Sequence, residues 1–259
     1  MLAWGEGRNA SMSGARWSAA PLSRDWAKPI EGSICAVTWP TLTLAGRERW
    51  FDELYVWTEG FQASTMQRAQ IQLAALAKGL ALVEHERVRR IGITLSFGTV
   101  ERCLDQVTDI FDAHRLYAHR TCILLRGQID RLRSRYRVRG FIDWLRTQQI
   151  PVGYRLTASR ISMEMKAIDF IEPDFAKVMA PNSRRFEYWQ DVALEARAAG
   201  LKLDSAIIAG IEEVEQRRNA QNVGFAFGQG HAVHAPYDPP SLGNSVPAGE
   251  ANETAFSLD

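Results

Sequence analysis

Short apolar runs alternate along this chain with longer segments in which apolar residues recur every three or four positions. The short runs predict eight strands: Ile34–Thr38, Trp50–Trp57, Arg90–Leu95, Thr121–Leu125, Val152–Leu156, Phe175–Val178, Ala206–Ala209 and Gly224–Phe227. The longer segments predict six helices: Thr65–Glu84, Val100–Ala113, Ile129–Gln148, Ser162–Phe170, Arg184–Ala199 and Glu212–Asn219. Strands and helices that alternate in this way are typical of βα units with a mainly parallel sheet.

Eight such strands predict an α/β fold, a TIM-like (β/α)8 barrel. The turn at Gly46 between the first two strands is too short for a helix, so we expect this pair to be antiparallel. The 259 residues, 46% of them hydrophobic, suffice for one large core, and residues 31–237 would form the barrel. Residues 1–30 predict a flexible N-terminal arm, although their tryptophans could dock it, and residues 238–259 predict a disordered C-terminal tail.

Charge and cysteine content exclude several classes of function. A formal net charge of +1 favours neither nucleic acid nor an acidic membrane as partner. The three cysteines, Cys35, Cys103 and Cys122, have no metal-ligand spacing, which fits a reducing cytoplasm. No apolar stretch is long enough to cross a bilayer, so we expect a cytoplasmic protein that does not insert into membranes.

Six arginines lie between positions 126 and 139, at 126, 131, 133, 135, 137 and 139. Their spacing would distribute them around a helix, which favours a solvated outer helix of the barrel. A docking site for an acidic partner or a nucleic-acid backbone stays open, but the lack of interleaved aromatic residues disfavours nucleic acid.

Four segments carry a resemblance to a known family. They are Thr41-Leu-Thr-Leu-Ala-Gly-Arg-Glu-Arg-Trp-Phe-Asp-Glu-Leu-Tyr-Val-Trp, Pro173-Asp-Phe-Ala-Lys-Val, Gly210-Ile-Glu-Glu-Val-Glu-Gln and Gly224-Phe-Ala-Phe-Gly-Gln-Gly. They resemble the signature strand and the K-[LIV]-D, E-G-V-E-T-x-E-Q and Q-G-x-x-[FL]-x-x-P stretches of EAL-type cyclic di-GMP phosphodiesterases. The resemblance spans about residues 34–237 and implies that family's barrel, with its antiparallel first strand pair.

The resemblance also implies which positions are a remnant of the family's site: Asp52, Leu54, Thr94, Lys177, Glu212 and Gln229. Asp52, Glu53 and Leu54 match the Glu-Ala-Leu signature. Val56 replaces the arginine that holds a nucleotide phosphate in the family. Lys177 and Glu212 could face each other across neighbouring strand ends as a salt bridge.

Several metal ligands of the family are missing. Thr94 replaces an asparagine, and Leu124, Met179 and Ala209 fall at or near acidic positions. Arg155 brings a cation to the loop that normally carries acids. Because a two-metal phosphodiester site needs several oxygen ligands, we expect no bound Mg²⁺ or Mn²⁺, no catalytic residues and no hydrolysis.

Three functions remain open. The first is an inactive, EAL-like regulatory module that acts through protein–protein interaction in bacterial signalling, with a protein partner of unknown identity. The second is a receptor that binds cyclic di-GMP without metal, with Arg155 or Arg160 contacting the phosphates. A residual phosphodiesterase ranks third. The helical region 160–170 resembles one that family members use for homodimers.

Overall fold

The computed structural model describes residues 15–17, 33–59, 63–156 and 161–238. The strands in these ranges are β1 Ala15–Trp17, β2 Ser33–Thr43, β3 Arg49–Glu59, β4 Ile91–Ser96, β5 Thr121–Arg126, β6 Val152–Arg155, β7 Phe175–Met179, β8 Ala206–Ala209 and β9 Phe227–Gln229. The α-helices are α1 Thr65–Glu84, α2 Phe97–Ala113, α3 Arg135–Thr147, α4 Met165–Ile171, α5 Phe186–Ala198 and α6 Val214–Val223. Arg160 and most of both predicted arms lie outside the described residues.

Strands β2 to β9 close into an eight-stranded barrel, which confirms the predicted fold class. The first barrel pair, β2 and β3, is antiparallel as predicted. From β3 to β9 each strand pairs in parallel with the next. The ring closes where Leu42 and Thr43 of β2 pair antiparallel with Gly228 and Phe227 of β9.

Some element boundaries differ from the sequence predictions. Strand β1, which was not predicted, pairs antiparallel with the amino-terminal end of β2, at Ile34–Ala36. Helix α3 begins only at Arg135, because Ile129–Arg131 forms a separate 3-10 turn. Gly224 ends α6 in the left-handed region, at φ 106°, and β9 therefore begins at Phe227.

The amino-terminal half of the barrel interior is filled by apolar side chains. They form a cluster of buried residues with two partly buried aromatic neighbours: Phe51, Cys122, Leu124, Phe175 and Ile207, with Trp50 and Phe227. A methyl group on Gly153 would collide with the Phe175 ring, and one on Gly92 would lie 2.5 Å from the Phe51 ring. These two glycines leave room for rings that close the floor of the barrel.

A second and larger apolar core lies between the outward faces of the strands and the helices. It includes Leu54, Ile93 and Ile208 from the strands and Leu76 and Phe141 from the helices. In the part of the chain that the structure describes, no helix has the length and apolar character needed to cross a membrane.

Candidate functional site

Strand β3 sets the direction of the polar side chains in the barrel. Successive side chains of a strand point to opposite faces. Phe51 packs in the interior cluster, and Leu54 packs in the outer core. Glu53 therefore points into the barrel, whereas Asp52 points away from it.

A buried ion pair lies above the apolar floor. The Lys177 ammonium donates to Oε2 of Glu53 at 2.6 Å, and both side chains are almost completely buried. Lys177 also donates to the side-chain oxygen of Gln229 and to the hydroxyl of Tyr55. The three donor positions of the ammonium are thus all used.

The remaining polar atoms of this centre are also paired. Thr94 donates its hydroxyl to Oε1 of Glu53 at 3.0 Å. The amide nitrogen of Gln229 donates to Oγ1 of Thr41 at 2.5 Å and to Oε2 of Glu53 at 3.2 Å. We call Thr41, Glu53, Tyr55, Thr94, Lys177 and Gln229 the polar centre.

The polar centre keeps Glu53 ionised. Burial by itself would raise the pKa of this carboxyl, but the charges of Lys177 and Arg155 and the hydrogen bonds from Lys177 and Gln229 lower the pKa below its ordinary value. Removing either Glu53 or Lys177 would leave the other charge buried and uncompensated.

Two arginines extend the site towards the mouth of the barrel. Arg126 ends β5 and Arg155 ends β6. The Arg155 guanidinium lies over the Tyr55 ring, 5.3 Å from its centroid. Burial, with the nearby charges of Arg155 and Arg68, lowers the pKa of Arg126. Neither arginine makes an ion pair with a residue that the structure describes, so the mouth carries excess positive charge.

The residues predicted as a remnant site separate into two groups. Thr94, Lys177 and Gln229 meet in the polar centre with Glu53. Asp52 and Leu54 lie on the other face of β3. Burial raises the pKa of Asp52, even though Arg49, Tyr237 and His234 act to lower it.

The expected pairing of Lys177 with Glu212 is wrong. Glu212 lies at the rim, where its carboxylate contacts His231 Nδ1 at 2.6 Å, and about half of each side chain is exposed. Lys177 finds its carboxylate on β3 instead, because its side chain points down into the barrel.

Sequence reasoning did not identify Glu53, Tyr55 or Arg126 as members of the site. An alternating face does connect Phe51, Glu53 and Tyr55 along β3. In a barrel both faces of a strand are buried, so alternation alone does not tell which face is the interior.

Comparison with solved structures identifies the type of barrel. The EAL domain of Mycobacterium smegmatis DcpA has a TM-score of 0.61 and 14% identity, with 80% of this chain and 94% of that chain covered. Klebsiella pneumoniae BlrP1 in a complex with manganese and cyclic di-GMP has a TM-score of 0.60 and 17% identity, with 78% and 55% covered. The EAL enzyme Bd1971, with cAMP and cyclic di-GMP bound, has a TM-score of 0.57 and 15% identity.

This chain has the EAL-type barrel fold. The match to Bd1971 covers 79% of this chain and 62% of the Bd1971 chain, so this chain spans less than two thirds of that protein's length. No protein-family model matches the sequence. No curated protein matches it either.

An EAL barrel that hydrolyses cyclic di-GMP implies divalent metal ions, and the residues that the structure describes do not fit them. Glu53 offers the interior carboxylate, but both of its oxygens already accept hydrogen bonds, and the Lys177 ammonium lies beside it. No group of three or more His, Cys, Asp or Glu side chains that could hold a metal ion occurs among the described residues. A hard dication takes six or more oxygen ligands and would be repelled by Lys177, Arg126 and Arg155.

Proposed function

We propose that this protein is a catalytically inactive, EAL-type regulatory module that binds cyclic di-GMP without a metal ion. One observation carries the proposal. Arg126 and Arg155 lie at the mouth of the barrel without an acidic partner among the described residues, since Lys177 already neutralises Glu53. Partly buried cations without counter-charge favour an anion, and a cyclic dinucleotide supplies two phosphates.

The chemistry of the polar centre supports binding without hydrolysis. Hydrolysis in such a site depends on a metal-activated water, and a centre occupied by a Lys177–Glu53 ion pair would not supply one. Binding, by contrast, needs cations, backbone groups and apolar contacts to the bases. Arg155 is held over Tyr55 and so could meet a phosphate with little loss of side-chain freedom.

The first test is calorimetric titration of the full chain with cyclic di-GMP, once with a chelator and once with Mg²⁺. We expect the same affinity in both buffers and no linear dinucleotide product in the cell afterwards. Arg155→Gln should weaken binding by about 10- to 100-fold, because it removes a charge-assisted contact to phosphate. Arg87→Gln, an exposed arginine that follows α1 and precedes β4, is the matched control.

Three outcomes would contradict the proposal. Recovery of linear dinucleotide would show that the chain is an enzyme, and binding that requires Mg²⁺ would show a metal site that the geometry does not support. An absence of binding in both buffers would favour the alternative function, regulation through a protein partner alone. Exposed apolar side chains on and beside α5 favour that alternative: Met179, Phe186, Tyr188, Leu194 and Val214.

A further inference from the structure

A cleft of about 670 Å³ lies beside the barrel mouth, between the first turns of α1 and α2 and the connection from β5 to α3. Five arginines line it: Arg68, Arg102, Arg126, Arg131 and Arg133. Glu101 is the single acidic residue among the lining residues that the structure describes. We call this feature the arginine cleft.

The positive charge of the arginine cleft is not neutralised from within. Glu101 accepts the backbone N–H of Ser134 at 2.5 Å and is thereby held on the connection to α3. Among described residues, Arg131 and Arg133 form no ion pair. The next three arginines of the same run do form ion pairs, with acids of α2 and α3, of the 3-10 turn before α3 and of the residue that follows α4: Arg137 with Asp105, Arg139 with Asp143 and Glu172, and Arg135 with Asp130.

The first turn of α2 adds to this charge. Ser96 caps the amino terminus of α2, where its hydroxyl accepts a hydrogen bond from the N–H of Thr99. The first turn of α2 contains no acidic residue. The Arg102 guanidinium folds back over this turn, 2.8 Å from the position of a methyl group on Gly98. A cation at the positive end of a helix dipole is unfavourable unless an anion lies between them.

We propose that the arginine cleft is a second binding site, for a linear polyphosphate group that is either free or carried by a nucleotide. Arginine forks match phosphate oxygens in pairs, and several forks converging on one concave site select adjacent phosphates over a single one. Phe97 is the aromatic residue in the described lining, and it is buried at 2% exposure, so it offers no surface on which a nucleic-acid base could stack. The cleft therefore fits a compact anion better than an extended strand.

The arginine cleft shares Arg126 with the cyclic di-GMP site proposed above, and its other four arginines set it apart from that site. The test is calorimetric titration of the full chain, in chelator, with sodium tripolyphosphate, GTP and orthophosphate in parallel. Tripolyphosphate should bind at least about tenfold more tightly than orthophosphate, because several arginines engage it at once. If GTP bound more tightly than tripolyphosphate, the natural ligand would be a nucleotide. Equal affinities for GTP and tripolyphosphate would mean that the cleft recognises the polyphosphate group alone.

Paired variants make the test specific. Arg131→Gln/Arg133→Gln should weaken tripolyphosphate binding by about tenfold or more and leave cyclic di-GMP binding unchanged. Arg155→Gln should do the reverse, so that failure of one proposal is distinguishable from failure of the other. Arg87→Gln/Arg89→Gln removes the same charge from exposed positions between α1 and β4 and should change neither affinity.

Three results would overturn the inference. Equal affinity for tripolyphosphate and orthophosphate would reduce the cleft to general charge attraction. Loss of tripolyphosphate binding after saturation with cyclic di-GMP would merge the two sites into one. Tighter binding of a single-stranded RNA oligomer, abolished by Arg131→Gln/Arg133→Gln, would make this face a nucleic-acid surface.

Discussion

The polar centre and the arginine cleft both contain cations, yet they are built in opposite ways. In the polar centre Lys177 is paired with Glu53, and hydrogen bonds engage the surrounding amide and hydroxyl groups. The arginine cleft is lined by five arginines and one acidic residue, Glu101, whose carboxylate accepts a backbone N–H. A region whose charges cancel needs no ligand for charge balance, whereas a region with uncompensated positive charge attracts an anion. The position of a cation alone does not distinguish the two roles, but its partners do.

Loss of Lys177 should have the largest effect on this comparison. Lys177→Met leaves Glu53 buried without a counter-charge, and we expect the free energy of unfolding to fall by about 3–5 kcal/mol, measured by urea denaturation. The double variant Glu53→Gln/Lys177→Met should recover much of this loss, since no buried charge remains. A loss below about 1 kcal/mol for Lys177→Met would mean that the pair behaves like a surface salt bridge.

The next prediction compares how tightly side chains pack in the barrel interior and in the arginine cleft. Gly153→Ala would drive a methyl group into the Phe175 ring in the closed interior, and we expect a loss of about 1–3 kcal/mol in the free energy of unfolding. Gly98→Ala at the cleft is the matched variant, because its methyl group would meet only the flexible end of Arg102. Alanine also favours the α2 helix over glycine by about 0.5–1 kcal/mol. Equal losses in the two variants would show that the cleft is packed as tightly as the interior.

Much of this architecture could be predicted from the sequence. Eight apolar runs and the short turn at Gly46 predicted the barrel and its antiparallel first pair, because these features depend on local pattern and loop length. The resemblance pointed to Thr94, Lys177 and Gln229, which the structure brings together. The strands that carry these three residues pair in parallel without a bulge, so the register taken from the resemblance is kept along them.

The interior face of β3 could not be predicted in the same way. Opposite Thr41 and Leu42, β3 carries an extra residue, a bulge at Trp50, so that Trp50 and Phe51 both pack on the interior cluster. Glu53 then points inward, one position after the acid that the signature register selected. A bulge is fixed by pairing between strands, which a single sequence does not show.

The smallest predicted effect concerns Asp52, the neighbour of Glu53 on the outer face. Burial raises the pKa of Asp52 above its ordinary value of 3.8, and Asp52→Asn should change the free energy of unfolding at neutral pH by about 1 kcal/mol or less. A raised carboxyl pKa stabilises the folded protein in acid, and that contribution is lost as pH rises from about 3.8 through the folded pKa. The unfolding free energy of Asp52→Asn relative to the unsubstituted chain should therefore increase over this range and then level off.

The lowered pKa of Glu53 has the opposite effect on stability, since its contribution is present above about pH 4.5 and is lost in acid. Urea denaturation across this pH range measures the difference. If the unfolding free energy of Asp52→Asn relative to the unsubstituted chain instead fell with rising pH, the fold would stabilise the charged form of Asp52, as it does that of Glu53. The contrast between the two faces of β3 would then be lost.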